Sequence, residues 1–250
     1  MTRIFGAVSM SLLAVGVCSA VRAGDGAEAV LDKAIKALGG ADKLGTVKAV
    51  TWKSKGKLSI GGADNDFTSQ TTLSGLTQMR GEFEGDFMGN KIKGVTVMNG
   101  DKGWRIFADQ KMELDADAIA AEKRNLYLQV VPLTILPLKG KGFKVETAGE
   151  EKIGGKAALG VKATGPDGKD FTIYFDKDSG LPVKQVAKIV GFMGEEATQE
   201  TMFSNYKDFG GIKKATKIDA KRDGENFIAI EITEFRVLDK IDPKTFAEPE

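Results

Sequence analysis

The chain has 250 residues, with 36 lysines and arginines against 35 aspartates and glutamates, no histidine, and a single cysteine at Cys18. Without histidine, and with its only thiol in an N-terminal leader, the folded part lacks the side chains behind most general-base, thiol, zinc and haem chemistry. The balanced charge gives no basic bias toward nucleic acid or an anionic lipid surface.

The leader is read from its charge and apolar pattern. Arg3 supplies the positive start, Phe5 to Val17 are almost wholly small or apolar, and Val21-Arg22-Ala23 places small residues around a cut after Ala23. A membrane anchor needs about 20 apolar residues, and this run is shorter before Arg22 and Gly24 interrupt it. Residues 1–23 are therefore expected to be a secretory signal peptide, and residues 24–250 one exported, periplasmic or otherwise extracytoplasmic domain without stable membrane insertion. Acylation at Cys18 is the alternative, but Val17 is bulky where a lipobox takes a small residue. Cleavage removes Arg3 and Arg22 and no acid, leaving 34 basic residues against 35 acids, a net charge of −1. With no cysteine left, stability must come from an ordinary core and not from disulfides.

In Ala27, Val30, Leu31, Ala34, Ile35 and Leu38 the apolar spacing predicts a helix over 27–38, stopped by Gly39-Gly40. The period then changes to two. In Val47 to Ile60, Val50, Trp52, Leu58 and Ile60 share one face while Lys53, Lys55 and Lys57 share the other, as in a half-buried strand. Alternation continues through Asp66 to Leu73, Leu76 to Phe83, Lys91 to Met98 and Gly103 to Ala108, each bounded by turn residues such as Gly61-Gly62 and Asn99-Gly100. Glycines within or beside these strands (Gly75, Gly81, Gly85, Gly89, Gly94) predict a strongly curved meander.

Asp115 can cap a second helix that should end at Pro132, and Pro132 with Pro137 should forbid one long helix through the apolar run Leu126 to Leu138. Strands resume at Phe143 to Thr147, Ala157 to Ala163, Phe171 to Phe175, Val183 to Val190, Ala197 to Asn205, Lys213 to Ala220 and Asn226 to Leu238. The expected fold class is mainly β with a few helices: an open, incomplete antiparallel β-barrel whose concave face is covered by helices. A closed barrel of so many strands would be too wide for its own side chains to fill. Something must occupy the hollow.

Several segments resemble the LolA/LolB-type lipoprotein-carrier superfamily, related to outer membrane lipoprotein-sorting proteins. They are the helix ending Ala37-Leu38-Gly39-Gly40 before Val47-Lys48-Ala49-Val50, the hairpin Val97-Met98-Asn99-Gly100-Asp101-Lys102-Gly103-Trp104, and the strand-turn-strand Tyr174 to Lys184. Tyr206-Lys207-Asp208-Phe209-Gly210-Gly211-Ile212-Lys213 and Phe246-Ala247-Glu248-Pro249 complete the set. The resemblance spans nearly the whole exported chain and is carried by turn and packing residues. Asn99 stands where aspartate is usual, and Ala215 where related sequences often carry proline. For the arginine that ties strand to lid in true carriers, Arg80 matches by rough position only. The resemblance implies an unclosed barrel that holds acyl chains.

The lipid or cargo-binding residues expected from these readings are Leu126, Leu128, Leu133, Ile135 and Leu136 in a proline-broken lid, and Trp52, Met79, Phe83, Ile92, Met98, Trp104 and Ile106 on the concave face. Ordinary core packing is the competing reading for each of them. No catalytic residue, metal site or cofactor is assigned. Asp176 to Gly180 superficially resembles a calcium loop but lacks the late glutamate such a loop needs. Glu82, Glu84 and Asp86 alternate along one strand, the pattern of a solvated outer face and not of a glycosidase pair. The function expected is a monomeric, non-catalytic carrier or sensor of lipid or lipoprotein acyl chains, with envelope donor or acceptor proteins as further partners. The alternatives are a cell-envelope interaction module whose concave face docks a partner or its own tail, and a carboxylate-only hydrolase.

Overall fold

A computed structural model describes residues 23–250 apart from Met88, Phe192 and Met193, so residues 1–22 of the expected leader lie outside the described part. Among the described residues three α-helices, α1 (Ala23–Leu38), α2 (Ala41–Gly45) and α3 (Ala116–Thr134), accompany thirteen strands. The first six strands are β1 (Ala49–Ile60), β2 (Ala63–Ser74), β3 (Gln78–Phe87), β4 (Asn90–Asn99), β5 (Lys102–Phe107) and β6 (Gln110–Glu113). After α3 come β7 (Lys144–Ile153), β8 (Lys156–Thr164), β9 (Asp170–Asp176), β10 (Pro182–Val190), β11 (Glu196–Phe209), β12 (Ile212–Arg222) and β13 (Glu225–Leu238). Helix α2 and strand β6 are the elements that the sequence pattern did not signal. Among the described residues no helix is long and apolar enough to cross a membrane.

All thirteen strands form one sheet in the order β6-β5-β4-β3-β2-β1-β13-β12-β11-β10-β9-β8-β7. Two meanders, β1–β6 and β7–β13, are joined through the antiparallel pair β1–β13. The end strands β6 and β7 do not pair, so the sheet is an open barrel, as the composition of the strands led us to expect.

Because directly opposed residues of an antiparallel pair point to the same side, the register separates the two faces. One ladder runs Phe235, Trp52, Thr71, Gly81, Thr96, Arg105, and its neighbour runs Ser54, Ser69, Phe83, Gly94, Phe107. These form the inner face, since Arg105 pairs with Glu122 of α3. The outer ladder runs Thr51, Thr72, Arg80, Val97, Trp104. Lys53 and Lys55 on this outer side pair with Glu234 and Glu231, and Glu84 with Lys93, in agreement with the wet face predicted for them. Gly94 is required by close approach: the Phe83 ring lies where its Cβ would stand.

The inner face carries two apolar clusters. Under α1, Ala27, Leu31, Ala34, Ile35 and Leu38 meet Val161, Ala163, Phe171, Ile173, Phe175 and Ile189 of the second meander. Each buried leucine or isoleucine there contributes about 1.5–3 kcal/mol. The second cluster joins Val50, Trp52, Leu73, Met79, Met98, Ile232 and Phe235 to Leu126 and Leu133. Helix α3 wedges between the two, giving Leu126 and Leu133 to one and Tyr127, Leu128 and Val131, with its cap residue Ile135, to the other. That is why its middle is apolar on more than one side.

Asp115 caps α3 by accepting from the Ala118 amide, as expected. The expectation that Pro132 ends the helix is corrected: α3 continues to Thr134 and stops at Ile135, which has φ of 62°. Pro132 lies in the last turn, where only the Leu128 carbonyl loses its amide partner, and clusters on both sides hold the helix in place. Pro137 then starts a short 3-10 turn, Leu136–Lys139.

The C-terminal turn Pro243–Phe246 packs on β3 and β4, with Phe246 buried and Arg80 donating to the Thr245 carbonyl at 3.5 Å. The chain's own tail thus docks on the outer face, not the concave one. Arg80 accordingly ties a strand to the tail and not to the helical lid.

Candidate ligand cavity

Between α3 and the inner face lies a cavity of about 410 Å³, bounded by Trp52, Met79, Phe83 and Ile230 on one side and by Gln185, Thr201, Phe203 and Lys214 on the other. Helix α3 roofs it with Glu122, Asn125, Leu128, Gln129 and Pro132. The volume falls within the range of about 300–1,000 Å³ common for small-molecule sites. A larger depression of about 640 Å³ lies elsewhere, lined by Lys55, Lys57, Asp66, Glu84, Lys217 and Glu231 among others, and its charges are partly paired.

Of the twelve residues expected to bind cargo, Trp52, Met79, Phe83 and Leu128 line the cavity. Met98, Leu126 and Leu133 are buried in the cluster beside it, and Ile135 in the cluster under α1, where Leu136 also packs. Ile92 is on the inner face opposite Gly85, beyond the cavity wall. Trp104 and Ile106 stand on the outer ladders opposite Val97 and Val95, and so correct the expectation that they share the concave face. The hairpin Asn99-Gly100-Asp101 fixes this phase: with Asn99 opposite Lys102, Trp104 falls opposite Val97 and not opposite Met98.

The polar residues of the cavity had gone unread. Lys214 is 8% exposed, and its Nζ lies 5.3 Å from the centroid of the Trp52 ring. Among the described residues it has no carboxylate partner, and burial pushes its ammonium down to about 8. Gln185 is 4% exposed, and its Nε2 is a buried donor with no acceptor among the described residues. Gln199 donates to Thr201 at 3.3 Å and accepts from Arg222, whose guanidinium stacks 3.4 Å from the Phe227 ring centroid. A signal existed for Lys214: in Ile212, Lys214, Ile218 and Ala220 it occupies the apolar phase of an alternating strand, while Lys213 takes the wet phase.

Two ion pairs with largely buried arginines hold the roof, beside an exposed pair between Lys123 and Asp101. Arg105 of β5 meets Glu122 of α3 at 2.6 Å, both side chains 13% exposed. Burial raises the Glu122 carboxyl, opposed by Arg105 and a hydrogen bond from Asn125. On the other side, buried Arg124 donates to the Lys188 carbonyl at 2.5 Å, the Asp170 carbonyl at 2.9 Å and Asp167 at 3.0 Å. Tyr127 also donates to Asp167, at 2.5 Å. Burial works against the Asp167 charge, but bonds from Tyr127, the Lys169 amide and Arg124 outweigh it and keep this carboxyl below its usual range. These groups are saturated by one another and clamp α3 onto the sheet. Among the described residues no cluster of acidic or thiol ligands suits a metal ion.

The architecture is thus an open antiparallel sheet whose helical roof, and not the sheet itself, covers an amphipathic cavity. Comparison with solved structures places the chain more narrowly. A LolA superfamily protein from Nitrosomonas europaea superposes with a TM-score of 0.57 at 11% identity, covering 88% of this chain and 97% of that one. A DUF1329 family protein from Desulfovibrio piger gives 0.55 at 15% identity, with the same coverage of 88% and 97%. A domain from Vibrio parahaemolyticus, described as an outer membrane lipoprotein-sorting protein, gives 0.52 at 10% identity over 86% of this chain and 97% of that one. No protein-family model and no curated protein matches the sequence. The chain has the fold of the LolA/LolB-like superfamily.

Proposed function

We propose that this protein is an exported, non-catalytic carrier or sensor that holds an acyl chain of a lipid or lipidated protein beneath α3. The observation that carries this reading is the cavity of about 410 Å³ between α3 and the inner face, part-walled by Trp52, Met79, Phe83 and Leu128. Acyl burial contributes about 0.8 kcal/mol per methylene, so long chains bind and short ones hardly do. The fold shared with LolA-type proteins supports the reading, and so do the pairs Arg105–Glu122 and Arg124–Asp167, which engage Glu122 and Arg124 in holding the roof. Exchange of cargo then needs α3 to lift at the Glu122 side or the Arg124 side while the sheet stays intact.

The test is gentle purification of the exported protein from its native envelope, followed by native mass spectrometry and organic extraction. A stoichiometric acyl species is the expected result. Protein that is consistently empty and takes up no fluorescent fatty acid would overturn the carrier reading and leave an envelope interaction module.

A further inference from the structure

The cavity is not a plain hydrocarbon slot. Its β1–β3 wall is apolar at Trp52, Met79 and Phe83, while the wall from β10–β12 brings in Gln185, Thr201 and Lys214. A lysine in the apolar phase of a strand, desolvated and without a counter-ion, is a costly feature of an empty protein. Trp52 offsets part of that cost through its ring face. The two carboxylates that line the cavity, Glu122 and Glu82, are already committed to Arg105 and Arg80. Gln185 adds a second donor without an acceptor among the described residues, itself more than nine-tenths buried. Both residues are cavity-lining, so both can be satisfied by a ligand that brings oxygen acceptors and a negative charge.

We propose that the cavity binds a single-chain anionic amphiphile of the long-chain carboxylate class, its acid head paired with Lys214 and its chain lying along Trp52, Met79 and Phe83. Gln185 serves a further oxygen of the ligand. This rests on the carrier reading and narrows it: neutral lipids of equal chain length are disfavoured because they leave Lys214 charged and unpaired. A chain too bulky for the space beneath Leu128 and Pro132 is excluded by the roof.

The experiment measures binding of palmitic acid and of neutral methyl palmitate to the exported protein at pH 7 by displacement of a fluorescent probe. Wild type is expected to prefer the acid by at least tenfold. Lys214→Met should bring acid and ester to equal affinity, while Lys214→Arg should restore the preference. The arginine variant and a thermal melt of each protein guard against a folding defect, since a purely structural role for Lys214 would weaken acid and ester together. If wild type binds both ligands equally, head-group recognition fails while the carrier reading stands. If it binds neither, both fail.

Discussion

Arg105 and Glu122 are joined at 2.6 Å across the gap between strand β5 and helix α3, with each side chain only 13% exposed. The pair pins the N-terminal half of the roof, as the Arg124 network pins the other side to the second meander.

Removing one partner of this pair should be costly. Arg105→Met leaves Glu122 buried without its cation and is expected to cost about 3 kcal/mol, with faster amide exchange in α3 than in the strands. Glu122→Gln should be milder. The pH sign is defined: burial puts the Glu122 carboxyl above its ordinary 4.5, so the folded state holds the extra proton. The stability Glu122 costs therefore grows as pH rises through the window above 4.5. Denaturant midpoints of wild type and Glu122→Gln between pH 4 and 7 check this. Curves of equal slope would show that Glu122 does not titrate differently on folding.

Lys214 predicts an opposite window. Its folded-state value is depressed from 10.5 to about 8, so the unfolded chain binds more protons between these values and stability rises with pH there. Below about 8 the penalty is constant, at most on the order of 3 kcal/mol from the size of the shift. Lys214→Met should thus raise the denaturation midpoint at pH 7 in ligand-free protein and flatten the pH dependence above pH 8. A variant that is less stable at pH 7 would mean that the lysine is needed for packing.

Residues of the roof should separate into two kinds. Leu133 is 4% exposed in the cluster with Trp52 and Leu73, so Leu133→Asp is expected to lower stability by about 3–5 kcal/mol and not to act on cargo alone. Gln129 lines the cavity and is only half-buried, so Gln129→Trp can fill the space. Fatty-acid uptake should fall at least tenfold with little change in melting temperature. Uptake at the wild-type level would place the acyl site elsewhere.

Sequence by itself determined the strand and helix inventory closely, because a period of two or 3.6 is a local property that solvent enforces on each segment. Twelve of the thirteen strands were legible as alternating runs, and β6 was missed because Gln110–Glu113 is exposed throughout and carries no apolar phase. The absence of histidine, the Asp115 cap and the open, curved sheet could also be read in one dimension. Tertiary structure alone decided which apolar face is the inner one. Trp104 and Met98 look alike in sequence, yet hairpin register sends one outward and the other into the core. It also decided that Pro132 rides inside a helix held from both sides, and that Leu126 and Leu133 are core while Leu128 meets the cavity. Lys214 is the clearest case: its phase in β12 is local, but its lack of a carboxylate partner among the described residues depends on β3 and α3 committing Glu82 and Glu122 to Arg80 and Arg105. Periodicity reports burial one strand at a time, whereas a site is made by faces that meet from distant parts of the chain.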